Sequence, residues 1–163
     1  MYDAILLPTD GSDGTSKTID HALEVARRYE ASIHALSVVD ERQVGQLEGE
    51  NRYETERSLE ETCERAVDRV ARRGEAAGIP VETAIRRGIP TQQIVQYAAE
   101  TGVDVIAMGT HGRSDHERIA TVGSVTQRVV ENASVPVFVV HIGRDSGVDD
   151  PFLLSRTLCQ LSE

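Results

Sequence analysis

Tryptophan is absent from this 163-residue chain, aromatic residues make up 4 % of it, and lysine occurs once, as Lys17. With 39 % hydrophobic residues but so few rings, the core must be aliphatic, built from Val, Ile, Leu and Ala. No apolar run approaches the ~18–20 residues needed to cross a bilayer. Residues 1–8 lack the basic start and long apolar stretch of a secretion signal, so a cytoplasmic protein without a membrane partner is expected. Cysteine is scarce too: Cys63 and Cys159 form no metal or redox spacing. Cys63 shares a helical face with Leu59, Ala66, Val67 and Val70, where cysteine behaves as a small hydrophobe. Cys159 sits in a terminal tail with no assigned role.

Basic charge is also in deficit. Seventeen Lys and Arg face 27 Asp and Glu, a formal charge of −10. Nucleic-acid binding draws on counterion release by clustered bases, so it is not expected. The excess exceeds the ~2–8 usual for a small domain. Acidic, lysine-poor surfaces suit a very salty cell interior, where repulsion is screened within ~3 Å at 1 M. A halophilic origin is the corresponding expectation.

Length predicts one domain at roughly 100–200 residues per domain. Five short apolar runs alternate with amphipathic segments. Strands are expected near 4–7, 32–39, 81–86, 103–108 and 135–140. Helices are expected from Ser12 or Asp13, one of which should cap the first, to Tyr29; over 52–77, stopped by Gly78; from a Thr91 cap to Gly102; and from Val122 or Gly123 to Asn132. Residues 40–51, with Gly45 and Gly49, read as a loop. The Glu/Arg-rich long helix should carry i,i+4 pairs such as Glu61 with Arg65. The third strand alternates more and so belongs nearer an edge. Strand–helix alternation with nearly continuous Val/Ile strands implies a parallel sheet covered on both faces.

In such a sheet, ligands bind beyond the carboxyl ends of the strands, where strand order reverses. The first strand is followed by Pro8-Thr9-Asp10-Gly11-Ser12, the second closes on Val39-Asp40, and the fourth runs Met108-Gly109-Thr110-His111-Gly112-Arg113-Ser114. The last helix opens with Gly123-Ser124-Val125-Thr126. Glycines let backbone amides approach an anion, and a helix N-terminus adds free donors and a favourable dipole. The pattern reads as a phosphate cradle. A Walker loop is excluded, since Lys17 follows Ser16 rather than a glycine, and no G-x-G follows the first strand.

The segments Met108-Gly109-Thr110-His111-Gly112-Arg113-Ser114, Gly123-Ser124-Val125-Thr126, Val135-Pro136-Val137 and Pro8-Thr9-Asp10-Gly11-Ser12 together resemble the universal stress protein family. The likeness covers residues 1–142 and leaves 143–163 as a tail. It implies a five-stranded parallel α/β fold in the order 3-2-1-4-5, dimeric through the fifth strand around Val137–Val140. It also implies ATP binding through a G-x2-G-x9-G-(S/T) motif, with Mg²⁺ beside Ser124 or Thr126. By that resemblance Asp10 and the Val39 backbone hold the adenine end and Gly109 lies beside the ribose. Gly112, Gly123, Ser124 and Val125 hold the phosphates, while Pro8, Thr9, Met108, His111, Arg113 and Thr126 complete the site.

This chain has ten residues, 113–122, where the family motif has nine. An extra residue in a flexible loop costs little closure entropy, whereas inside a helix it would rotate the following donors by ~100°. Loop placement is expected. Asp115 and Glu117 bring negative charge there, offset by Arg113 and Arg118. A regulatory ATP-binding protein with at most slow hydrolysis is therefore expected, since no general base or arginine finger is evident. Two alternatives stand beside it: a dimeric interaction module without nucleotide, and an enzyme cleaving ATP at the α-phosphate.

Overall fold

The computed structural model describes residues 1–110 and 122–142. Five strands form one sheet in the order β3-β2-β1-β4-β5. They are β1 (Ala4–Pro8), β2 (Ser32–Asp40), β3 (Val81–Gly88), β4 (Val105–Gly109) and β5 (Val137–Val140). Every pairing is parallel, with Leu6 opposite His34 on one side and Ile106 on the other. Helices α1 (Thr15–Tyr29), α2 (Glu41–Val44), α3 (Gly49–Ala77), α4 (Pro90–Thr101) and α5 (Ser124–Asn132) connect them. The expected fold and strand order hold, with the third strand at an edge.

Strand alternation sorts the core into two layers. Ile5, Leu7, Ile33, Val105 and Ala107 pack against Ile19, Ala22 and Ala26 of α1 and Val67 and Val70 of α3. The intervening Leu6, Leu36, Ile106 and Met108 point the other way, onto Ile94 and Tyr97 of α4 and Val129 of α5. Burying each of the Val, Leu, Ile and Met side chains contributes about 1.5–3 kcal/mol. Cys63 lies on the buried face of α3, as its spacing predicts.

Several local expectations are corrected. Neither Ser12 nor Asp13 caps α1; its N-cap is Gly14, with no side-chain bond. Asp10 instead accepts from the Ser12 amide at 2.9 Å, and Gly11 turns through φ +75°, so the chain reaches helical geometry only at Thr15. Thr91 does not cap α4; Pro90, whose ring pre-sets the helical φ, occupies the first turn after Ile89. The 40–51 loop contains a helix: the Asp40 carboxylate accepts from the Arg42 amide and starts α2. Glu61 accepts from Arg57 at 3.1 Å, while Arg65 turns to the Thr62 hydroxyl beside the hollow at Gly11. Gly78 and Gly102 stop their helices in the left-handed region, as expected.

Candidate nucleotide site

A cleft of about 690 Å³ opens at the carboxyl ends of β1 and β4, where the strand order reverses. Its size suits a small-molecule ligand, for which clefts of ~300–1,000 Å³ are usual. Of the residues expected from sequence, Pro8, Thr9, Asp10, Met108, Gly109, Gly123, Ser124, Val125 and Thr126 line it. Val39 does not: it is 1 % exposed, and its neighbours Val38 and Asp40 face the cleft in its place. His111, Gly112 and Arg113 lie outside the described residues, as do Asp115, Glu117, Arg118, Cys159 and the tail.

The loop after β1 is held tightly. The Thr9 amide donates to the Leu36 carbonyl at 2.8 Å, and the Ser37 hydroxyl donates to the Thr9 carbonyl at 2.7 Å. The Asp10 Oδ1 atom accepts from the Ser12 amide and, at 3.4 Å, from the Thr15 hydroxyl. The carboxylate is thus oriented at the cleft wall and does two jobs, turning the loop and facing the cleft.

Across the cleft, the Gly123 amide donates to the Thr110 carbonyl at 2.6 Å and the Thr126 hydroxyl donates to the Gly109 carbonyl at 2.8 Å. The Gly123 amide and the Thr126 hydroxyl proton are engaged within the protein, so they do not face a phosphate as donors. What α5 presents instead is its uncapped first turn, Ser124, Val125 and Thr126, whose amides have no helical partner by position. Helical structure of α5 begins only at Ser124, so the extra motif residue, which lies among residues 113–122, does not rotate α5.

Two walls carry no motif and escape sequence reasoning. Leu59, Thr62 and Cys63 of α3 form one, with Cys63 serving the core and the cleft together. Arg42 and Gln43 of α2 form the other. Arg42 makes a bidentate pair with Asp40, at 2.9 and 2.6 Å, which holds the Asp40 carboxyl below the usual carboxylate range. The Glu-Arg pair following Asp40 is the only local signal of that wall. Ile142, just beyond β5, also reaches the cleft. Among the described residues no group of three or more His, Cys, Asp or Glu could hold a metal.

Fold and cleft together define a doubly wound α/β protein with an open cleft at its switch point. A sequence model of the universal stress protein family matches residues 1–141, and the chain belongs to that family. It is 36 % identical over 141 residues to universal stress protein MJ0531 of Methanocaldococcus jannaschii, covering 86 % of this chain and 82 % of that one. The structure of MJ0577 superposes with a TM-score of 0.76 at 33 % identity, covering 86 % of this chain and 96 % of that one. UspA from Lactobacillus plantarum superposes at 0.73 with 29 % identity, covering 85 % and 97 %. Family structures bound to cAMP, at 22 % identity, and to dAMP, at 23 %, share the fold with TM-scores of 0.65 and 0.60. No described helix is long and apolar enough to cross a membrane.

Proposed function

We propose that this chain is an ATP-binding universal stress protein, a cytoplasmic regulatory module of the stress response with at most slow hydrolysis. The observation that carries the reading is the uncapped N-terminus of α5, which opens onto the cleft opposite the Asp10 loop. Free amides and the helix dipole there favour a polyphosphate. The apolar Leu36, Val38 and Leu59 offer a surface for the base. Asp10 and the main chain around Val38 and Val39 hold the adenine end in this reading, with Gly109 beside the sugar. Gly112 and the Ser124 and Val125 amides hold the phosphates. His111, Gly112 and Arg113 belong to the same site by family resemblance alone.

Mg²⁺ accompanies the ATP, held mainly by phosphate oxygens, with lone pairs of the Ser124 or Thr126 hydroxyl within the same cleft. The domain of residues 1–142 pairs with a second copy through β5, whose outer edge has no strand partner among the described residues and exposes Phe138 and Val139. The charge of −10 fits a protein that works at high salt.

A nucleotide-free interaction module is the second reading. Ile142, packed over Gly109 at the cleft, favours it. Mass spectrometry of small molecules released from gently purified protein, followed by calorimetry with Mg-ATP, separates the two. Bound adenine nucleotide, or saturable ATP binding, supports the first. An empty cleft that also ignores added Mg-ATP refutes it, and release of AMP with pyrophosphate would instead reveal an enzyme acting at the α-phosphate.

A further inference from the structure

Thr18 of α1 is 1 % exposed, and its hydroxyl is the one buried side-chain nitrogen or oxygen among the described residues with no hydrogen-bond partner. Three other helical threonines donate to a main-chain carbonyl: Thr62 to Ser58, Thr101 to Tyr97 and Thr126 to Gly109. A buried hydroxyl without a partner is a standing cost, so it calls for a reason. Thr18 lies in the cleft wall.

The neighbouring glycines point to one. A Cβ built on Gly109 would stand 3.0 Å from Thr18 Oγ1 and would overlap Ile142 Cδ1. On the other side, a Cβ on Gly14 would stand 2.6 Å from Ile142 Cγ2. Two glycines and one hydroxyl therefore bound a notch, and the Ile142 side chain fills it. Neither glycine is required by its backbone: Gly14 is right-handed helical, and Gly109 is not among the residues with positive φ. Their missing side chains make room. An apolar side chain in a notch with a polar wall is a poor chemical match for Thr18. Ile142 is held by its main chain, whose amide donates to the Thr110 hydroxyl at 2.9 Å, so its side chain can change rotamer without unpairing that amide.

We infer that Thr18 is a ligand contact held covered by Ile142: the bound nucleotide displaces the isoleucine side chain and places a polar atom, a sugar hydroxyl or a phosphate oxygen, against the Thr18 hydroxyl. The inference rests on the nucleotide-binding reading above and adds to it a residue outside the motif, together with the side chain that must yield.

The test compares wild type, Thr18→Val and Ile142→Ala by thermal melting without ligand and by calorimetry with adenosine and with Mg-ATP. Valine keeps the shape of threonine and nearly its helix propensity, so it removes the hydroxyl alone. Ligand-free Thr18→Val should melt roughly 2–4 °C higher, yet bind Mg-ATP about tenfold more weakly. Ile142→Ala should bind several-fold more tightly, because nothing is left to displace. If adenosine also loses affinity in Thr18→Val, the contact is to the sugar; if only ATP does, it is to a phosphate. A Thr18→Val protein with unchanged affinity for both, or one that melts lower, overturns the inference, as does an Ile142→Ala protein that binds no tighter. Failure of the wild type itself to bind either ligand refutes the nucleotide reading, which is a distinct result, and the contact falls with it.

Discussion

Replacing Gly109 with alanine tests the packing at the mouth of the cleft. The added Cβ would overlap Ile142 Cδ1 and stand 3.2 Å from Ile142 Cγ1 and 3.0 Å from Thr18 Oγ1. Gly109 is not in the left-handed region, so the cost is steric rather than conformational. Overpacking of this kind costs about 1–3 kcal/mol. The smaller entropy of the unfolded alanine chain returns about 0.4–1 kcal/mol, which leaves a net loss of about 1–2 kcal/mol. Ile142→Ala alone removes three carbons from a half-buried site and should cost a similar amount, below the ~2–5 kcal/mol of a fully buried isoleucine. With Ile142 already truncated, only the 3.0 Å approach to Thr18 Oγ1 remains for the Gly109 methyl group, so the double variant should lose little beyond Ile142→Ala. Urea denaturation of the four proteins closes the cycle, with an expected coupling of about 1–2 kcal/mol. Costs that add within ~0.5 kcal/mol would show that Ile142 does not sit over Gly109, and the notch would have to be abandoned.

The Asp40 carboxyl is held below its ordinary value of 3.8, first by the Arg42 side chain, so its contribution to stability is fully present above that value and is lost as pH falls through the lowered one. Water screens the pair to about 1 kcal/mol or less. Asp40→Asn should therefore remove that part of the acid sensitivity in melts taken from about pH 5 down to about pH 2. Gly123→Val should lose ATP binding in calorimetry; φ −60° and ψ 152° suit any residue, so the backbone is not strained, and a thermal melt of the variant checks that this buried position accepts the side chain, while unchanged affinity counts against the cradle. Phe138, 48 % exposed on the β5 edge, should be essential for dimerisation, so light scattering at high salt should find a wild-type dimer and a Phe138→Glu monomer. A monomeric wild type rejects the β5 interface.

Much of the fold is legible in the chain because its signals are local. Runs such as Val105-Ile106-Ala107 read as buried parallel strands, and both layers of the core follow from their alternation. Gly78 and Gly102 stop helices because left-handed backbone favours glycine wherever it occurs. The loops after β1 and β4 fall at the switch point, as expected, because they follow strand ends. Helix starts are less legible. Asp10, Gly11 and Pro90 change the entry into α1 and α4, and α2 is hidden in a polar stretch, started by the Asp40 carboxylate and anchored by the buried Val44.

The strand order follows from the family likeness, the aliphatic two-layer core from periodicity, and most of the cleft-facing residues of β1, β4 and α5 from their position after strand ends; all three are written in the chain itself. Which of those groups remain available is written only in the packed molecule. The Gly123 amide turns to Thr110, the Thr126 hydroxyl to Gly109, and Val38 rather than Val39 faces the cleft. Packing also brings Cys63 from α3 and Ile142 from beyond β5 to the same opening. Those contacts join residues far apart in the chain, and no spacing within the chain encodes them; they exist only once the sheet has brought the carboxyl ends of its strands side by side.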